Sequence, residues 1–238
     1  MIAAQAEPDL DVAAQLARLD DLAAQIGRAT TEQVCGLVFQ TLGFRGDHKT
    51  YDDPRNSYLN RVLDRQIGIP ITLSVLLMEV GRRCGVHLEG VGMPGHFLVR
   101  DPDQPDLLID AFSGGRRLDH AACAQLLHTM VGSEVALQPA LLAPIGTRTI
   151  LARMLANLDQ SFRRRENRDG ARWATRLRAA IPGLPTVEQI AMAESLAGLG
   201  CHEEAASLLE ELASRPGESA EAARSLRTRA RGLLAPFN

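Results

Sequence analysis

The stretch GIPITLSVLLMEVGRRCGVHLEGVGMPGHFLVRD, residues 68–101, decides the fold. Gly68 makes a turn, and Pro70 suits a first helical position because its missing N–H would have no partner there. Val75, Leu76, Leu77, Met78 and Val80 cover nearly all sides of a helix over 70–84, so that helix is expected to be buried, with Gly85 as its stop. Beyond Gly85 the apolar period changes to two. HLEGVGM and HFLVRD read as strands joined by Pro94-Gly95, DPDQPD as a turn and LLIDAF as a third strand. A buried helix followed at once by hairpin strands is an α+β pattern, with the helix packed on an antiparallel sheet.

Before this stretch, PDLDVAAQLARLDDLAAQIG places Leu10, Leu16, Leu19, Leu22 and Ile26 near one helical face, with Pro8 in the first turn and Gly27 at the end. TTEQVCGLVFQTLGF is a second helix, capped by Thr30 or Thr31 and stopped by Gly43. Residues 45–60, RGDHKTYDDPRNSYLN, form a polar loop in which Pro54 forces Asp53 into an extended or turn conformation. A short helix runs from Tyr58 to Gln66, and another over 118–131 is capped near Asp119. From about Thr147 strand signals vanish and five helical segments follow with short Gly/Pro joints. They read as a tetratricopeptide-like hairpin array or as a plain helical bundle. The expected domains are therefore 1–145, the α+β part, and 146–238, the helical part.

Composition narrows the function classes. The 238 residues are 45% apolar and 23% charged, with a formal net charge of −3, a globular balance. Such a charge provides no global attraction for nucleic acid or an anionic membrane. No run approaches the ~20 apolar residues of a membrane span. The N-terminus lacks the basic start of a secretory signal, so a cytoplasmic location is expected. Cys35, Cys84, Cys123 and Cys201 are scattered without a CxxC pair and read as reduced thiols, not as a disulfide framework or zinc site. No phosphate-binding glycine loop or HExxH motif occurs, so neither cofactor nor metal is expected.

Chemistry can be placed at a few positions. His96 opens one strand and Asp110 closes the next; across a hairpin the carboxylate would hold the imidazole by its ring N–H. The bland alternative is a strand histidine bonded to backbone beside an exposed aspartate. The start of the buried helix is where a thiol would be activated by the helix dipole. Here the first turn offers Pro70, Ile71 and Thr72, then Ser74, and no thiol. Cys84 lies at the opposite end, where the dipole disfavours thiolate, and reads as packing. Thr72 and Ser74 read as backbone-bonded hydroxyls. Asp52, Asp53, Arg55 and Asn56 make either a structural turn network or part of a site.

Taken together, YDDPRNSYLNRVLDRQIGIPITLSVLLMEVGRRCG, EGVGMPGHFLVR and LLIDAFSGG resemble the bacterial SirB-type family of the transglutaminase-like superfamily, over about residues 9–160. The resemblance implies a transglutaminase-like core followed by a tetratricopeptide-like helical region. It also implies that Pro70 occupies the place of the nucleophilic cysteine, with His96 and Asp110 matching the other two triad positions. Two readings follow. In the first, the protein is a non-catalytic module that binds a protein or peptide in a cleft flanked by His96, Asp110, Asp53, Arg55, Asn56 and Thr72. In the second, it is a cryptic amide or ester hydrolase in which His96 and Asp110 act with water, Thr72 or Ser74.

Overall fold

In the computed structural model, which describes residues 2–132 and 134–235, the chain opens with a short helix α1 (Ile2–Ala6) and a longer α2 (Val12–Ala24). Pro8 lies between them and not in the first turn of α2. The helix starts later because Asp11 caps it, accepting from the Ala14 N–H at 3.0 Å. Thr30 caps α3 (Thr31–Cys35) and Gln33 reaches back to the Thr30 N–H, a capping box. The expected second helix then continues as π-helical backbone over Gly36–Thr41, and Gly43 ends it at φ 72°.

Next come β1 (Arg45–Gly46), a 3₁₀ turn at Pro54–Ser57, α4 (Leu59–Arg65) and β2 (Ile67–Gly68). β1 and β2 pair in parallel, Arg45 beside Ile67 and Gly46 beside Gly68. The pairing brings the ends of the polar loop together just before α5 (Pro70–Arg83), the buried helix. Then follow β3 (Glu89–Val91), β4 (Leu98–Arg100), β5 (Leu108–Asp110), β6 (Arg116–Leu118), α6 (His120–Val131, capped by Asp119) and β7 (Pro144–Ile145). These strands form one antiparallel sheet in the order β6-β5-β4-β3-β7.

Side chains alternate across the sheet. Val99 and Ile109 join the core containing Leu73, Leu76, Leu77 and Val80 of α5. Leu98 and Leu108 join Cys123 and Leu127 of α6 on the other face. Each such fully buried leucine or valine contributes about 1.5–3 kcal/mol, which outweighs the cost of an apolar N-cap, Ile69, on α5.

Five helices follow among the described residues: α7 (Thr147–Arg164), α8 (Arg168–Ala179), α9 (Thr186–Gly198), α10 (His202–Ala213) and α11 (Ala220–Leu234). The chain divides into two compact units, Met1–Ile150 and Leu151–Asn238. In the second unit, Ala205, Leu209 and Leu212 of α10 pack with Leu226 and Ala230 of α11. Among the described residues no helix is long and apolar enough to cross a membrane.

Candidate functional site

Pro94-Gly95 turns the chain between β3 and β4, with Gly95 at φ 73° and the His96 N–H donating to the Met93 carbonyl at 3.1 Å. The turn delivers His96 to the sheet rim. The register that pairs Val99 with Ile109 brings Asp110, at the end of β5, beside the start of β4, two residues after His96. The side chains meet: His96 Nε2 is 2.8 Å from Asp110 Oδ1, with both residues buried.

Asp110 is held from several directions. Oδ1 also accepts from the Phe112 N–H at 3.0 Å and the Ser113 N–H at 3.3 Å, and Oδ2 accepts from the Ser113 hydroxyl at 2.7 Å. Burial pushes this carboxyl up. The hydrogen bond and charge of His96, with the Ser113 donors, outweigh it and hold the pKa below the usual carboxylate range. An ionised carboxylate only accepts, so Nε2 carries the proton of this hydrogen bond. The carboxylate thus holds the imidazole by its ring N–H in a fixed orientation.

Pro70 opens α5 and is buried. Thr72, two residues on, is committed: its hydroxyl donates to the Asn56 carbonyl at 2.7 Å and accepts from the Ile69 N–H at 3.1 Å. It caps α5 where Ile69 cannot. Ser74 is fully buried, and its hydroxyl lacks a hydrogen-bond partner among the described residues. Cys84 sits at the far end of α5, where burial raises its thiol pKa. Cys123 is packed under the sheet, its thiol pushed to about 11 by burial with the charges of Asp119 and Asp110 adding to the effect. Neither thiol is at the helix start.

The remaining candidates form a loop network. Asp53 caps the 3₁₀ turn through the Arg55 N–H at 2.9 Å, and the Arg55 guanidinium closes on its carboxylate at 2.5–3.1 Å. That contact is the largest cause of the lowered Asp53 pKa, ahead of burial, which opposes it. Asn56 is fully buried, donates to the Thr50 carbonyl and to Asp47 Oδ2, and accepts from Arg65. These bonds of Asp53, Arg55, Asn56 and Thr72 all stay within residues 47–72.

Two residues passed over in the sequence hold this region together. Asp47 is buried and accepts from the Lys49 and Thr50 N–H groups, the Thr50 hydroxyl and Asn56, while its own N–H bonds the Gly68 carbonyl at 3.0 Å. Its signal was an aspartate three residues before a threonine in a polar loop, a turn motif. Phe112 packs edge-on to His48, Tyr51 and His96, with ring centroids 4.5, 6.0 and 6.1 Å apart. Among the described residues no cluster of three or more His, Cys, Asp or Glu side chains is placed to hold a metal ion.

A buried helix on an antiparallel sheet, with a histidine just before one strand bonded to an aspartate at the end of the next, agrees with a transglutaminase-like protein, and the chain belongs to the transglutaminase-like superfamily, whose family model matches residues 4–156. It is 45% identical over 153 residues to a UPF0162 protein of Xylella fastidiosa, covering 62% of this chain and 54% of that protein. A UPF0162 protein of Pseudomonas aeruginosa is 37% identical over 167 residues, 67% of this chain and 61% of the relative. F-box only protein 21 of Mus musculus is 34% identical over 131 residues, 51% of this chain and 20% of that protein. The match therefore spans little more than half the length of the Xylella relative. No solved structure matches the chain.

Proposed function

We propose that the protein is a non-catalytic, SirB-type member of the superfamily that binds a protein or peptide, with Pro70 standing where the nucleophilic cysteine would be. The reading places a transglutaminase-like domain at 1–145 and a tetratricopeptide-like helical region at 146–238, in a bacterial cytoplasmic protein without a cofactor. The observation that carries it is an asymmetry. The imidazole and its carboxylate are joined at 2.8 Å in a buried pair, while the first turn of α5 holds a proline and no thiol. On this reading, a superfamily cleft that keeps the imidazole and carboxylate but has lost its nucleophile would still hold a chain segment by hydrogen bonds. The helical unit would add further binding surface. The hydrolase reading is weakened by Thr72, whose hydroxyl proton is already given to the Asn56 carbonyl.

The test restores the thiol. Pro70→Cys should label rapidly with a cysteine-directed reagent and titrate below the ~8.5 of a free thiol, because on this reading it would lie at a helix N-terminus beside the His96 imidazole. Adding His96→Ala should return it toward an ordinary thiol. Wild type should show no His96-dependent labelling. An engineered thiol that titrates as free cysteine with or without His96 would remove residue 70 from the nucleophile position. Amide or ester turnover by wild type, abolished by His96→Ala, would replace this reading with the hydrolase.

A further inference from the structure

A groove of about 610 Å³ opens in the first unit, at the end of the sheet away from His96 and Asp110. Its place follows from the register. Arg100 closes β4 and pairs with Leu108, which opens β5, whereas His96 precedes β4 and Asp110 closes β5. Leu108 packs with Cys123 and Leu127 of α6, so the groove lies on the α6 side of the sheet. Three connections wall it: the β4–β5 turn with Pro105 and Asp106, the start of α6 with Asp119 and His120, and the 139–144 segment that leads into β7. Leu108 is buried at the floor and Leu142 is half-buried beside it, while Pro105, Pro139 and Pro144 stand exposed around them.

The chemistry of the wall is one-sided. Prolines have no backbone N–H, so three of the lining residues cannot donate from the main chain. The Arg100 guanidinium already closes on Glu89 Oε2, through Nε at 3.0 Å and Nη2 at 2.7 Å, so its charge is answered within the protein. Two carboxylates stand against it. Asp106 has no side-chain partner among the described residues, and Asp119 uses Oδ1 to accept from the Ala122 N–H at 2.8 Å. Acidic residues also outnumber basic ones over residues 1–150.

We propose that this groove is a docking site for an extended segment of a partner protein in which an arginine or lysine stands between apolar residues. Such a side chain lays an apolar stem along Leu108, Leu142 and the prolines and keeps its charged head at the rim, where Asp106 and Asp119 accept from it. An acidic segment would meet two like charges and a guanidinium that is already paired. The volume falls within the ~300–1,000 Å³ of ligand pockets, which suits a few side chains of a chain segment. The surface is separate from the His96–Asp110 pair and from residue 70, so failure of the reading given above would leave this inference standing.

The experiment uses a displayed library of random short peptides as probe, selected on the full chain and, in parallel, on Asp106→Lys. Wild type should enrich sequences with an arginine or lysine flanked by leucine, isoleucine, valine or proline, and Asp106→Lys should not. A synthetic peptide of the enriched sequence should shift the NMR amide signals of Leu108, His120 and Leu142. Asp106→Asn combined with Asp119→Asn removes both charges and keeps a helix-capping side chain at 119. It should weaken binding roughly three- to twentyfold, the factor of two exposed ion pairs, and added salt should weaken wild type far more than this variant. Asp106→Asn alone, at an exposed turn residue, makes the same comparison if the double variant does not fold. Enrichment of acidic or uncharged sequences, no enrichment, or affinity unchanged by the asparagine substitutions would overturn the proposal. So would N-acetylargininamide binding as tightly as the peptide, which would assign the groove to a free cation. Shifts gathered at His96 and Asp110 would also overturn it and would place the peptide in the other cleft.

Discussion

Asp47→Asn tests the network that presents the polar loop to the start of α5. Asp47 is 5% exposed, and its carboxylate accepts from two backbone N–H groups, a hydroxyl and an amide, with Arg65 at 3.5 Å. Burial pushes the carboxyl up, but the Thr50 and Asn56 donors outweigh it and bring the pKa from 3.8 to about 2. A depressed folded-state pKa contributes stability that is complete above the unfolded value and lost as pH falls through the folded one. Converted at about 1.4 kcal/mol per tenfold, the contribution at pH 7 is about 2.5 kcal/mol, of which about 1 kcal/mol is gone by pH 3. Asparagine keeps the shape but turns an NH₂ toward donors and removes the charge. The variant should be less stable by about 2–3 kcal/mol at pH 7, with the gap narrowing by about 1 kcal/mol at pH 3. Urea denaturation read through amide exchange of α5 reports on the first unit alone. A gap of the same size at both pH values, or no gap at pH 7, would refute the assignment of Asp47 as an ionised, hydrogen-bonded latch.

Thr72→Val removes the hydroxyl that bonds both the Asn56 carbonyl and the Ile69 N–H inside the protein. Two buried groups lose their partner, so the expected cost is about 2–4 kcal/mol by chemical denaturation, and a loss under 1 kcal/mol would show that the α5 start is held otherwise. Cys84 and Cys123, buried and with raised pKa values, should stay unlabelled by a thiol reagent in the native protein at pH 7 and react on denaturation; fast native labelling of either would contradict their packing.

The parts of the fold that could be read directly are those whose signal is local. The buried helix 70–83 shows in apolar residues on nearly every side between Pro70 and Gly85, and β3 to β5 show in period-two patterns bounded by turns. Hairpin topology offers His96 and Asp110 as a pair beside the alternative of a backbone-bonded histidine, and it is the family resemblance that favours the pair; His96 itself lies two residues before β4. The elements that escaped depend on distant partners. Arg116–Leu118 has two arginines and no apolar alternation, and it is a strand because β5 supplies its ladder. Pro144–Ile145 is two residues long, too short for any period, and becomes the sheet edge by pairing with Gly90 and Val91.

The same distinction explains why the site was only half legible. The polar loop announced itself by composition, which drew attention to Asp52, Asp53, Arg55 and Asn56. What organises the loop is Asp47, chosen by the geometry of a turn whose far anchor is the Gly68 carbonyl. Gly46 looks like an ordinary loop glycine with no positive φ to demand it. Its necessity comes from Phe112, which lies against the space where a side chain would be and which also touches His96. A residue of that kind carries no periodicity, charge pattern or motif. It becomes visible only when the tertiary contact is drawn, and then a glycine before the loop, a phenylalanine after the acidic strand end and the histidine between them are seen to constrain one another. Substitution at any of the three should therefore be felt at the other two, even where the change leaves the hydrophobic core intact.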